Sequence, residues 1–311
     1  MIAVDLKDGF STVKSFDDAI LPLAKKFKNI VVLNADPSGR AAANNFSKFF
    51  SERYFSLGLQ EANMTSCASG FTVRGKVPFI TGFSSFILGK AWEQIRTGVC
   101  YPNLNVKIVG TSHGLFSGED GAGSHSLEDL ALMRVLPNMK IVCPADYYEA
   151  VSAVEAAYLN YGPVYLRLSN FELPFLFDES YRFEFGKGRI VREGSDVCIF
   201  TLGIGVVNSL LAADLLAEEG ISAMVVNLAS VKPLDVDLVL DCASKVKKCF
   251  TVEDHNIIGG LGSAVAEVLG APLVRIGMED RFGESGKVGD LFRKHGLDSV
   301  GIFERVRATK I

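Results

Sequence analysis

The sequence predicts an α/β protein of two doubly wound domains, each built on a mainly parallel sheet, the second the smaller. Three observations carry that expectation. Short all-apolar runs of the kind that form strands buried on both faces alternate with segments of helical period. The alternation breaks over 170–192, in text rich in Phe, Asp, Glu and Gly, and then resumes. At 311 residues and 48% apolar content, the chain exceeds one ordinary core and suits two. The first domain is expected over 1–172, a connection over 173–190 and the second domain over 191–311.

The first 27 residues read as a helix, with Ala19, Ile20, Leu23 and Ala24 at three- and four-residue spacing. The unbroken apolar run over 30–34 is a strand, and 35–40 is a turn of the sort that lines sites at a sheet's C-terminal edge. Glu61 opens a helix of small residues. A strand follows over 77–80, then a helix over 83–96 with Phe86, Ala91, Trp92 and Ile95 available for burial, then a strand over 105–110. After a loop over 111–126 come a helix (127–135), a strand (140–143), a helix (148–160) and a strand (164–168). In the second domain, strands are expected over 196–202, 222–228, 248–252 and 273–276. Helices are expected over 207–219, 234–243 and after the glycine-rich turn 253–262.

Composition excludes several function classes. Net charge is −4, with no run of five like charges, so neither nucleic acid nor an anionic membrane surface is expected as a partner. The six cysteines form no C-x-x-C pair and lie mostly in apolar runs, which fits a reducing compartment. No apolar run reaches the ~18 residues that span a bilayer. Residues 1–8 carry neither a basic segment nor an apolar core, so no signal peptide is expected and a cytoplasmic location is.

Three stretches bear on chemistry. Glu61 is followed by Ala62, Cys67, Ala68, Ser69 and Gly70, small residues that let a helix approach another backbone closely. A carboxyl at the head of such a helix belongs in a packed junction, where desolvation favours the neutral acid and allows it to share a proton with a nitrogen heterocycle. The alternative is a first-turn acid that complements the helix dipole. The loop 111–126 places His113, His125, Glu119, Asp120 and four glycines directly after a strand, where imidazoles can move protons or bind hydroxyls. The alternative is a flexible polar loop; the spacing of its two histidines fits no metal, and none is expected on this chain alone. Phe79, Phe83 and Phe86 are either core or a stacking face for a flat heterocycle. Gly203-Ile-Gly205 lacks the third glycine of a dinucleotide fingerprint, and 259–262 lacks a phosphate-loop lysine, so both are discounted.

Taken together, these residues look familiar. Gly58-Leu-Gln-Glu61-Ala-Asn-Met64, Gly118-Glu-Asp-Gly121 with His125, and the stretches 127–134, 136–146, 253–262 and 280–286 occur in one order. In that order the chain resembles, over nearly its whole length, the C-terminal half of transketolase, more closely the separate C-terminal subunit of a split transketolase. The resemblance implies a pyrimidine-binding domain followed by a C-terminal domain. It also implies transfer of a two-carbon ketol unit between sugar phosphates, as in the pentose phosphate pathway, with thiamine diphosphate as cofactor. Glu61 matches the acid that hydrogen-bonds N1′ of the aminopyrimidine. Phe83 matches the ring that stacks on it, Phe86 the aromatic beside that ring, and Asp36 an acid near the cofactor. Asp120 and His125 match contacts to sugar hydroxyls, and His113 the histidine that opens their loop.

Departures from the pattern matter too. Where the family has an arginine that holds substrate phosphate, this chain has Asn170, so weaker phosphate binding, or its supply by Arg167 or another group, is expected; Lys14 stands near where a second phosphate-binding arginine is expected, and Arg40 is a further candidate to compensate. Lys offers only a point charge in place of a bidentate fork. The family's Gly-Asp-Gly signature for Mg²⁺ and diphosphate is absent. The resemblance therefore implies a separate N-terminal subunit holding both, inactivity of this chain alone, and an α2β2 assembly with contacts along the Glu61 helix. Rival readings are a 2-oxoacid dehydrogenase E1 β-type subunit, a 1-deoxyxylulose-5-phosphate synthase-like subunit and a non-catalytic interaction partner that keeps the fold.

Overall fold

A computed structural model describes residues 9–36, 42, 43 and 45–310. Ser11 decides where the first helix begins, because its hydroxyl accepts from the Lys14 amide and caps the orphan N–H groups there. The expected helix over 1–27 is therefore α1 (Thr12–Lys26), preceded by a short strand β1 (Gly9–Ser11). Then follow β2 (Ile30–Asn34), α2 (Phe46–Phe49), β3 (Tyr54–Ser56), α3 (Glu61–Val73) and β4 (Val77–Phe83). After α4 (Ser84–Glu93) the helix continues as a π-helical stretch, Gln94–Cys100. Next come β5 (Lys107–Thr111), α5 (Asp129–Arg134), β6 (Lys140–Val142), α6 (Tyr147–Leu159) and β7 (Val164–Arg167).

The second half holds β8 (Glu172–Pro174), β9 (Arg189–Arg192), β10 (Val197–Thr201), α7 (Ile204–Glu218), β11 (Ala223–Asn227) and β12 (Ser230–Lys232). It ends with α8 (Val236–Ser244), β13 (Lys248–Asn256), α9 (Leu261–Leu269), β14 (Val274–Met278), α10 (Val288–Lys294) and α11 (Ser299–Arg307). The fold is α/β with two large sheets and, among the described residues, a small antiparallel pairing of β1 with β8. One large sheet runs β12-β6-β7-β5-β4-β2-β3, all parallel except β12; the other runs β14-β13-β10-β11-β9, parallel except β9. Strands β2, β4 and β5 are buried at every position, as their apolar runs require.

Three of the differences from expectation have a clear physical reason. Strand β12 comes from the second half yet pairs with β6 at the edge of the first sheet, a long-range pairing that three residues cannot announce. The turn expected from residue 253 is instead the end of β13. Its Glu253, Asp254 and His255 are buried because partners inside the protein satisfy them. Helices α10 and α11 are short and follow glycine-rich text, so their period is hard to read.

The connection between the sheets is fastened by α6. Asp146 accepts from the amides of Leu176 and Phe177, both at 2.8 Å. Glu149 accepts from the Tyr181 hydroxyl at 2.5 Å and from the Asn227 side chain at 3.0 Å. Burial raises the Glu149 carboxyl from 4.5 to about 7. An acid whose pKa is raised in the folded state binds more protons there than when unfolded. Its contribution is thus fully present below 4.5 and lost as pH rises toward 7. The loss is on the order of 3 kcal/mol. Urea midpoints are expected to fall less in Glu149→Gln than in the parent between about pH 5 and 7.5; equal falls would exclude this residue as the source.

Candidate active site

Glu61 is the first residue of α3 and only 3% exposed. Phe83 closes β4, and Phe86 lies in the first turn of α4. The two rings stack with centroids 5.8 Å apart and planes at 26°. Lys90, one turn beyond Phe86, places its ammonium 3.4 Å from the Glu61 carboxylate and 4.7 Å over the Phe86 ring. Phe79 packs on Phe16 in the core. The signal for Lys90 was its four-residue spacing from Phe86 on a predicted helix. Half of its side chain is in solvent, so the pair is weak, and the site is set by the burial of Glu61.

Asp36 follows β2, the strand beside β4. Its amide donates to the Asn34 side chain at 2.8 Å, and the Asn34 amide donates to the Tyr54 hydroxyl at 2.8 Å. The edge of the sheet next to Glu61 is therefore held by side chains as well as by the ladder.

The loop after β5 is ordered by its own polar groups. Gly114 and Ser126 exchange two backbone hydrogen bonds, and the Ser117 hydroxyl donates to the carbonyls of Ser112 and Ser124. Ser285 of the second domain donates to the Glu119 carbonyl at 2.7 Å. Asp120 is exposed at the end of the Gly118–Asp120 turn. His125 is 4% exposed and lies against Gly283. Burial lowers its pKa.

His113 is 2% exposed, and its Nδ1 lies 2.9 Å from Asp254 Oδ2, on the other sheet. Arg167, at the end of β7, donates to Asp129 at 2.6 Å and to Asp254 Oδ1 at 2.7 Å. Asp129 also accepts from the Tyr165 hydroxyl at 2.8 Å. Burial alone would raise both acids. The Arg167 guanidinium holds each below its usual range instead, with His113 assisting at Asp254. Gly114 serves this junction: its φ is +55°, and a side chain there would meet the Asp254 carbonyl at 2.5 Å. The glycine expected to admit a ligand admits the second domain.

One candidate needs correction. Arg167 does not fit the part of a phosphate ligand, because it is fully buried and its guanidinium is committed to two carboxylates. Lys14 is half exposed, with Asp18 at 2.6 Å and the Phe10 ring at 4.6 Å. Arg40 lies outside the described residues. Asn170 donates to the Ser112 hydroxyl at 3.0 Å. Sequence reasoning missed Lys90, Asp129 and Asp254. The structure thus forms one cluster from Glu61, Phe83, Phe86 and Lys90. It forms a second, across the domain junction, from His113, Asp129, Arg167 and Asp254. Among the described residues no group of His, Cys, Asp and Glu is arranged to hold a metal ion, and no helix is long and apolar enough to cross a membrane.

Comparison with known proteins gives a consistent result. The family described as transketolase, pyrimidine binding domain matches residues 8–174, and that described as transketolase, C-terminal domain matches 186–302. A protein of Methanocaldococcus jannaschii named as a transketolase C-terminal section is 43% identical over 302 residues, 94% of each chain. A 6-deoxy-6-sulfo-D-fructose transketolase subunit of a Clostridium species is 38% identical, covering 93% of this chain and 91% of its own. A solved structure described as a split gene transketolase, inactive beta4 tetramer, superposes with a TM-score of 0.88 at 40% identity, covering 96% of this chain and 98% of that one.

Proposed function

The chain belongs to the transketolase family, and on that premise we propose that it is the C-terminal subunit of a split transketolase. It would act on sugar phosphates with thiamine diphosphate. The observation that carries the reading is the buried Glu61 carboxyl, linked through Lys90 to the stacked Phe83 and Phe86. A group enclosed in this way suits the aminopyrimidine ring: one acid for N1′, aromatic faces for the ring, little water. The chemistry supplied by bound thiamine diphosphate is a nucleophilic carbon that takes up and passes on a two-carbon ketol unit.

The chain's own residues manage position and protons around that centre. Glu61 holds or shares a proton at N1′, and low water content strengthens that hydrogen bond. Phe83 and Phe86 hold the ring plane, and Asp36 borders the same sheet edge. Asp120, His113 and His125 meet the sugar. Lys14 and Arg40 are left for substrate phosphate. Mg²⁺ and the diphosphate fall to a separate N-terminal subunit, since this chain lacks a Gly-Asp-Gly signature. The superposed relative, described as an inactive beta4 tetramer, supports self-association and inactivity alone.

Co-expression with a Gly-Asp-Gly-bearing partner chain tests the reading. Ketol transfer between sugar phosphates is expected only with both chains and thiamine diphosphate present. Pyruvate decarboxylation instead would assign the chain to the 2-oxoacid dehydrogenases. An assembled complex with neither activity would leave a non-catalytic interaction protein.

A further inference from the structure

We infer that Tyr165 is a positioning residue for the Phe83–Phe86 stack: its hydroxyl reaches across a strand to accept from Ser84 and so fixes the head of α4. This rests on the reading above, in which the two rings hold the aminopyrimidine of thiamine diphosphate.

The stack sits where β4 passes into α4, and that corner lacks the usual fastening. Phe83 occupies the cap position, and its side chain offers no acceptor to the first amides of the helix. The next residue, Ser84, is fully buried, and its hydroxyl lies 3.0 Å from the Tyr165 hydroxyl. Tyr165 stands on β7, with β5 between it and β4. Its ring can cross because Gly110 of β5 carries no side chain. A Cβ there would come within 2.5 Å of the Ser84 hydroxyl and 2.7 Å of the Tyr165 hydroxyl. One contact thus depends on residues from three elements.

The direction of the hydrogen bond follows from counting protons. The Tyr165 hydroxyl is also 2.8 Å from Asp129 Oδ2. Burial opposes ionisation of Asp129, but the Arg167 guanidinium outweighs it, so the carboxylate is charged and only accepts. The phenol's one proton therefore goes to Asp129, and its oxygen accepts from Ser84. Burial and the Asp129 charge keep the phenol protonated. Arg167 binds Asp254 as well, so the network that orients Ser84 extends into the second domain. Every member is buried, where hydrogen bonds to charged partners are strengthened. Fixing Ser84 fixes the backbone on either side of it, from which Phe83 and Phe86 project.

Two variants test this. Tyr165→Phe keeps the ring and removes the oxygen, while Ser84→Ala removes the donor and leaves Tyr165 bonded to Asp129. In the isolated chain, amide hydrogen exchange in peptides covering 83–93 is expected to quicken about tenfold in either variant, with peptides covering α11 unchanged. Equal acceleration in both regions, or none over 83–93, overturns the positioning role. In the two-chain complex, each variant is expected to weaken thiamine diphosphate binding, read by titration calorimetry, about tenfold, the scale of one hydrogen bond. The double variant should lose no more than either single, because both remove the same bond. Unchanged affinity in an assembled variant complex, or losses that add, overturns the inference. If Tyr165→Phe fails to fold, Ser84→Ala decides alone. A parent complex that assembles yet binds no thiamine diphosphate overturns the functional reading instead, and exchange in the isolated chain still decides the part played by Tyr165.

Discussion

Replacing Arg167 by methionine is expected to cost the chain about 3–5 kcal/mol, the range for removing one partner from a buried ion-pair group. Methionine fills much of the same volume, so cavity formation adds little. The cost comes from Asp129 and Asp254, both buried and both left without the guanidinium that neutralises them. Among the described residues, Asp129 keeps the Tyr165 hydroxyl and Asp254 keeps His113. Urea unfolding should show a lowered midpoint, with the loss shrinking as pH falls and the stranded acids take up protons. The sign follows from the parent: carboxylates held below their usual range stabilise the fold above their unfolded pKa and lose that contribution as pH falls. An Arg167→Met chain as stable as the parent at neutral pH would mean that water or rearrangement satisfies both acids, and the junction would lose its importance.

That junction also marks where the sequence stops being legible. The parallel strands could be read because burial on both faces demands unbroken apolar runs, and 30–34 reads as a strand with its bounds as found. The start of α3 at Glu61 was legible from the small residues behind it. The stacking of Phe83 on Phe86 was legible as a spacing, though not as a contact. Arg167 was not legible. A cation inside an apolar strand needs buried partners, but its partners lie 38 and 87 residues away, and no local pattern names them. For the same reason Glu253, Asp254 and His255 resemble a polar turn. Only the fold reveals that Glu253 accepts from the amides of Leu261 and Gly262 at the head of α9. The second domain's contribution to the first, through β12 and Asp254, is likewise a property of the assembled sheets.

The larger effect on activity is expected at Glu61. In the complex with its N-terminal partner, Glu61→Gln keeps the size and shape of the side chain but removes the exchangeable carboxyl proton. Glutamine can still donate one hydrogen bond to a ring nitrogen, so assembly and cofactor retention should suffer little. Proton sharing at N1′ is lost, and positioned acid–base groups contribute about 10²–10⁴-fold to rate. The burial of Glu61 argues for the upper part of that range, since no bulk water stands by to replace it. Turnover of ketose and aldose phosphates by the purified Glu61→Gln complex, with bound thiamine diphosphate quantified in the same sample, is the direct measurement. The account predicts a loss of at least about a hundredfold in kcat with the cofactor still bound. A complex that turns over within a fewfold of the parent would contradict it.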